Sequence, residues 1–184
     1  MADGQAQADQ RLDAGELFRR HARFVANFLW KLGVGAQEID DLVQEVFVVA
    51  HKRGGFVERE ARPTTWLAEI AVRVASTRRR SLGRAPARVD VEDATTLPSS
   101  AAGPGEIVAA TQGLERVQRA LDAMDLNHRA VFVLYELEGE SCEHIAEVLG
   151  VPVGTVFSRL HTARKSFQKM HNRLLNLDKA RRSA

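Results

Sequence analysis

The sequence predicts an all-α protein: two small helical domains joined by a flexible acidic linker. Three observations predict it. Apolar residues recur at three-and-four spacing through most of the chain, and no stretch reads convincingly as a strand. Between Arg84 and Glu106 the composition shifts to Ala, Pro, Ser, Gly and acidic residues, RAPARVDVEDATTLPSSAAGPGE, with no apolar period. Beyond it, Ser141 to Lys165, SCEHIAEVLGVPVGTVFSRLHTARK, reads as two short helices around a tight turn. The division this implies is a disordered N-terminus (1–13), a first helical domain (14–83), the linker (84–107), a second helical domain (108–175) and a basic tail (176–184).

The first helix is expected over Leu17 to Leu32, with Phe18, Ala22, Val25, Phe28, Leu29 and Leu32 on one broad face and Gly33 and Gly35 ending it. The second runs from Glu38 to about Lys52. Glu38, Asp40 and Asp41 open it, where the helix dipole favours negative charge. Its inner stripe is Leu42, Val43, Val46, Phe47 and Ala50, while Asp41, Gln44, Glu45, Val48 and Lys52 project the other way. A Gly-rich loop from Arg53 to Pro63 follows. Thr64 or Thr65 is then expected to cap a third helix, with Trp66, Leu67, Ile70, Ala71 and Val74 apolar and Arg73, Thr77 and Arg80 sharing a different face. Arginines at a helix C-terminus suit the dipole, but the cluster there exceeds what capping requires and points to phosphate.

Past the linker, helical pattern resumes with Leu114, Val117, Leu121 and Met124. Asn127 is a plausible N-cap for a helix carrying Ala130, Val131, Leu134 and Leu137, which Gly139 ends. The next helix has Ile145, Ala146, Val148 and Leu149 as its apolar stripe, Gly150 at a left-handed cap position, and Pro152 two residues on. A second helix starts near Val153 with Val156, Leu160, Ala163 and Phe167 inward. Gly154, Ser158, His161, Thr162 and Lys165 face out, and Thr155, Phe157, Arg159 and Arg164 lie on the flanks. Small, polar and basic groups on such a face suit a DNA major groove, because phosphates need cations and base edges need short hydrogen-bonding side chains.

Bulk properties agree. Hydrophobic content of 45% and charged content of 27% over 184 residues are ordinary for a globular protein. The net charge of +2 conceals two basic clusters, one mid-chain at Arg73 to Arg88 and one from Arg159 onward, which suggests two contacts with a polyanion. With Cys142 alone no intrachain disulfide can form, and Cys142 reads as a small half-buried residue opening a helix. No apolar run could span a bilayer and the polar N-terminal stretch lacks a secretory core, so a cytoplasmic location without membrane insertion is expected. The His residues show no ligand spacing with Cys142, and no nucleophile with its base is evident; neither cofactor, metal nor catalysis is expected.

Three stretches together, DDLVQEVFVVAHKR, PTTWLAEIAVRVASTRRR and RAVFVLYELEGESCEHIAEVLGVPVGTVFSRLHTARKSF, resemble the bacterial sigma-70 family, specifically its small extracytoplasmic-function sigma factors. The resemblance covers about Leu17 to Leu174 and implies a transcription initiation factor rather than an enzyme. It implies partners: core RNA polymerase (clamp helices and flap), promoter DNA and an anti-sigma factor. Asp40, Asp41, Gln44, Glu45 and Val48 would meet the polymerase. Phe56, Trp66, Arg73, Thr77, Arg78, Arg79 and Arg80 would capture and melt the −10 element. Thr155, Phe157, Ser158, Arg159, His161, Thr162, Arg164 and Lys165 would read the −35 element. The acidic linker would run through the RNA-exit path. The chain departs from the family pattern at Arg73 (usually Asn), Thr77 (usually Asp), and Phe157 and Thr162 (usually basic), which bears on promoter preference. An ordinary helix-turn-helix regulator with an N-terminal sensing or dimerisation module is the alternative; such a regulator has no need of the acidic second helix and arginine-rich third.

Overall fold

In a computed structural model, the described residues are 11–57, 62–81 and 104–182, with side-chain burial described for all of these but 104–109, 179 and 181–182. They form seven α-helices, a π-helical turn and a two-stranded sheet: β1 (Arg11–Leu12), α1 (Ala14–Lys31), α2 (Ala36–Lys52), β2 (Phe56–Val57), α3 (Pro63–Ser81), α4 (Pro104–Asp122), α5 (Leu126–Phe132), the π turn (Val133–Leu137), α6 (Cys142–Leu149) and α7 (Val153–Arg182). The described residues of Met1–Trp30 and Gln37–Arg84 make one compact unit, and those of Lys31–Ala36 and Ala85–Ala184 a second.

In the first unit, α1 begins earlier than the apolar pattern suggests because Asp13 and Glu16 form a reciprocal capping box. The Glu16 N–H donates to the Asp13 carboxylate at 2.8 Å, and the Asp13 N–H to Glu16 at 3.4 Å. Leu17, Val25, Phe28 and Leu29 of α1 are buried with the whole expected stripe of α2 and with Leu67, Ile70, Ala71 and Val74 of α3. Of the rest of the expected face of α1, Ala22 is half-buried, and Phe18 stays 45% exposed and meets the Phe47 ring edge-on at 5.1 Å. Neither Thr64 nor Thr65 caps α3. Pro63 takes the first helical position, where its missing N–H costs nothing, and the Arg62 carbonyl accepts from both Thr65 and Trp66.

The expectation of no strand is corrected. β1 and β2 pair antiparallel with Arg11 opposite Val57 and Leu12 opposite Phe56. Residues 1–10 of the expected disordered start lie outside the described residues, but Arg11 to Asp13 are held by this pairing and by the cap. Gly54 and Gly55 turn the chain into β2 with φ of 82° and 84°. A Cβ on Gly55 would stand 2.4 Å from the Leu12 carbonyl oxygen. Gly55→Ala therefore combines left-handed strain with a backbone clash, and a loss of about 2–3 kcal/mol is expected in chemical denaturation; a loss under about 0.5 kcal/mol would mean the β1–β2 pairing is dispensable.

In the second unit, the expected linker is only partly visible: residues 84–103 lie outside the described residues, while Pro104 to Ile107 already belong to α4. Leu121 and Met124 are buried, Val117 is half-buried, and Leu114 is 49% exposed, contrary to the expected stripe. Asp125, not Asn127, caps α5, accepting from the Asn127 and His128 N–H groups. Partial burial alone would raise the Asp125 carboxyl, but hydrogen bonds and charge from His128, with the Asn127 N–H, outweigh it and hold the group below its ordinary value. After Phe132 the helix widens into the π turn. Val133 and Leu134 are buried, and Leu137 is turned out to 43% exposure. Arg129, 2% exposed, is held by Asp122 at 2.8 Å.

Candidate nucleic-acid interface

The helix-turn-helix is assembled as its residues dictate. Ser141 caps α6, its hydroxyl accepting from the His144 N–H at 3.2 Å, and Ile145 and Val148 fill the core. Gly150 adopts φ 64°, ψ 40°, so that the Gly150 and Val151 N–H groups return to the carbonyls of Glu147 and Ala146. Pro152 then leads into α7, whose Val156, Leu160 and Ala163 are buried. Phe167, half-buried, stacks on Phe132 at 4.9 Å. Cys142 is more deeply buried than expected, at 5% exposure; burial pushes its thiol up, leaving it protonated and inert.

On the outer face of α7, Phe157, Ser158, His161, Thr162 and Lys165 are exposed, and Thr155 and Arg159 are half-buried. The Ser158 hydroxyl donates to the Thr155 carbonyl at 3.0 Å, and the Thr162 hydroxyl to the Ser158 carbonyl at 3.0 Å. Both hydroxyls therefore keep their acceptor capacity outward, which suits the amino groups of adenine or cytosine. Arg164 is differently placed. Its Nε donates to Glu136 at 2.6 Å and its guanidinium lies 5.1 Å from the centre of the Tyr135 ring. The Glu136 hydrogen bond raises its already high pKa, so it stays charged.

In the first unit, Arg73, Thr77, Arg78, Arg79 and Arg80 are all exposed around the end of α3. Glu69, which sequence reasoning passed over, pairs with Arg73 at 3.0 Å and Arg53 at 3.2 Å, and Glu38 pairs with Arg78 at 2.8 Å. Arg80 bonds the Ser76 carbonyl and hydroxyl of its own helix. Arg79 makes no ion pair among the described residues. Exposed pairs of this kind are worth about 0–1 kcal/mol, too little to prevent exchange for a phosphate. The i,i+4 spacing of Glu69 and Arg73 was visible in the sequence; the Arg78–Glu38 and Arg164–Glu136 pairs, 40 and 28 residues apart, were not.

Phe56 lies in the strand β2 and not in a loop. It is 3% exposed in β2, with its ring 5.8 Å from the half-buried Trp66, so in this conformation it is core and offers no free face to a base. Asp40, Asp41, Gln44, Glu45 and Val48 are all exposed along α2, with Val48 at 49%. Among the described residues no helix is long and apolar enough to cross a membrane, and no group of three His, Cys, Asp or Glu could hold a metal ion.

Comparison with known proteins places both units. The family model for sigma-70 region 2 matches residues 17–85 and that for sigma-70 region 4 matches residues 114–167. The chain is 33% identical to the RNA polymerase sigma-H factor of Pseudomonas aeruginosa over 147 residues, 76% of each protein. It is 31% identical to the ECF RNA polymerase sigma-E factor of Escherichia coli K12, over 72% of this chain and 73% of that one. It is also 31% identical to the ECF sigma factor SigE of Mycolicibacterium smegmatis, covering 83% of this chain but only 59% of SigE's length. Its fold is similar to that of sigma factor RpoE in complex with the anti-sigma factor NepR from Bartonella quintana (TM-score 0.64, 21% identity, 85% of this chain and 94% of that one). It is also similar to CnrH in complex with the cytosolic domain of CnrY (TM-score 0.57, 25% identity, 86% and 87%). The helical pair around Gly150, the arginine-tipped α3 and the acidic α2 thus occur in a chain that belongs to the sigma-70 family, among its extracytoplasmic-function members, transcription initiation factors rather than enzymes.

Proposed function

We propose that this chain binds core RNA polymerase in the bacterial cytoplasm and directs it to promoters by two DNA contacts. The outer face of α7 reads the −35 element, and the arginine end of α3, with Arg73 and Thr77, engages the −10 element as it melts. The exposed face of α2, Asp40, Asp41, Gln44, Glu45 and Val48, meets the polymerase. An acidic face repels DNA and suits a protein partner, and Val48, 49% exposed one turn beyond Gln44 and Glu45, adds apolar area to it. The first domain, the linker and the second domain follow that division of labour. RpoE was solved with the anti-sigma factor NepR and CnrH with the cytosolic domain of CnrY, and an anti-sigma partner is proposed for this chain by analogy with the first.

The observation that carries the reading is the outward set on α7: hydroxyls and cations on a helix held by a left-handed glycine turn, within the region 4 match. In vitro transcription from a promoter library, with purified core polymerase and this chain, tests it. Selective initiation that depends on the chain is expected; failure of core polymerase to capture the chain removes the reading.

Glu136 offers a finer check. Its carboxylate sits beside Arg164 on the DNA side, where it opposes the phosphates and ties down a cation. Glu136→Gln is expected to raise affinity for −35 duplex about two- to fivefold at low salt and to change little at high salt. An unchanged affinity at low salt would mean that Arg164 does not approach the backbone.

A further inference from the structure

The outer face of α7 is not wholly polar. Val153, its first residue, is 39% exposed and Phe157, one turn on, is 54% exposed. Side chains four apart on a helix are neighbours, so the two make one apolar spot. Single exposed apolar residues are ordinary, but two stacked at the N-terminal end of a duplex-reading helix stand where base edges are met. Phe157 makes no ring contact among the described residues, so the neighbouring helix does not explain it. Beside the pair, a Cβ added to Gly154 would meet nothing within 4 Å, and Ser158 is small. The helix backbone can therefore approach the groove floor closely. In the major groove the apolar feature of a base edge is the thymine 5-methyl group.

We infer that Val153 and Phe157 select thymine within the upstream promoter element by covering its 5-methyl group. This rests on the reading of α7 as the −35 helix. It assigns a sequence choice to a position where a cation is usual: the chain exchanges a charge contact for an apolar one, and with it a salt-sensitive preference for a salt-insensitive one.

The test removes the methyl from the DNA and leaves the protein intact. Polymerase holoenzyme containing the full chain is bound to a promoter selected from a random library, and each thymine of its upstream element is replaced in turn by deoxyuridine. Loss of one methyl contact is expected to weaken binding about fourfold at one or two positions, equally at low and high salt. Phe157→Ala should bind thymine and deoxyuridine alike there, while Phe157→Leu should keep part of the difference. Upstream selectivity with no deoxyuridine effect at any thymine overturns the inference alone, as does an effect that Phe157→Ala leaves unchanged. Absence of any upstream selectivity overturns the −35 reading of α7 and the inference with it.

Discussion

Replacing Arg78, Arg79 and Arg80 together with alanine is expected to cut promoter opening at least tenfold while leaving capture by core polymerase within about twofold. For single-stranded nucleic acid each neutralised phosphate lowers the salt slope by about 0.7, which at 0.15 M salt corresponds to about fourfold in affinity per contact, and about fiftyfold for three. The structure argues for less than that ceiling. Arg78 already faces the Glu38 carboxylate and Arg80 its own helix, so only Arg79 enters the exchange without giving up a partner among the described residues. The salt slope of opening should fall by up to about two. Folding should be little affected, because the exposed Arg78–Glu38 pair contributes at most about 1 kcal/mol. Capture and opening can be read separately, the first by co-elution with core enzyme and the second by permanganate reactivity of unpaired thymines. Equal loss of both would mean that the end of α3 serves the polymerase and not the DNA.

Leu134→Ala is expected to destabilise the second unit by about 2–5 kcal/mol, and Leu137→Ala by less than about 1 kcal/mol. Leu134 is 1% exposed and its truncation leaves a cavity beneath the helix-turn-helix; Leu137 is 43% exposed and has little to lose. Such a loss is a large part of a small unit's stability, so −35 selectivity should fail with Leu134→Ala at temperatures where Leu137→Ala still works. Denaturation of both variants, followed by helical circular dichroism, separates them. Equal costs would mean the π turn relaxes to an α-helix and returns Leu137 to the core.

That pair also marks where the sequence stopped being legible. Three-and-four spacing placed Leu42, Val43, Val46, Phe47 and Ala50 of α2 in the core without error, because an uninterrupted α-helix keeps its period and one face decides burial. From Val133 the backbone takes an extra residue into the turn, and every later position rotates away from the α pattern. No residue type there announces the change. Gly150 and Pro152 announced the next turn because their constraints are local. Helix starts were misplaced for the same kind of reason. Asp13 and Asp125 cap through side chains lying before the apolar stripe, so the stripe alone began each helix late. Phe56 was assigned to a loop because two glycines precede it, and it lies in β2. Its burial depends on Arg11–Leu12, more than forty residues earlier, and long-range strand pairing leaves almost no mark in a two-residue strand. The outward residues of α2 and α7 were read correctly as outward; the carboxylates that pair with the arginines were not foreseen.

The thirty residues from Val153 to Arg182 form a single unbroken helix, about 45 Å from end to end. It packs along α4, and Asp178 near its far end is held by Arg116 at 2.9 Å. Such a rod is stiff, so the tip proposed to read the groove and the distal turns share one axis. A force applied near Asp178 is a torque at Ser158: tilting the shaft by a few degrees would swing the tip across a base pair without a single contact to DNA being altered at the point of application.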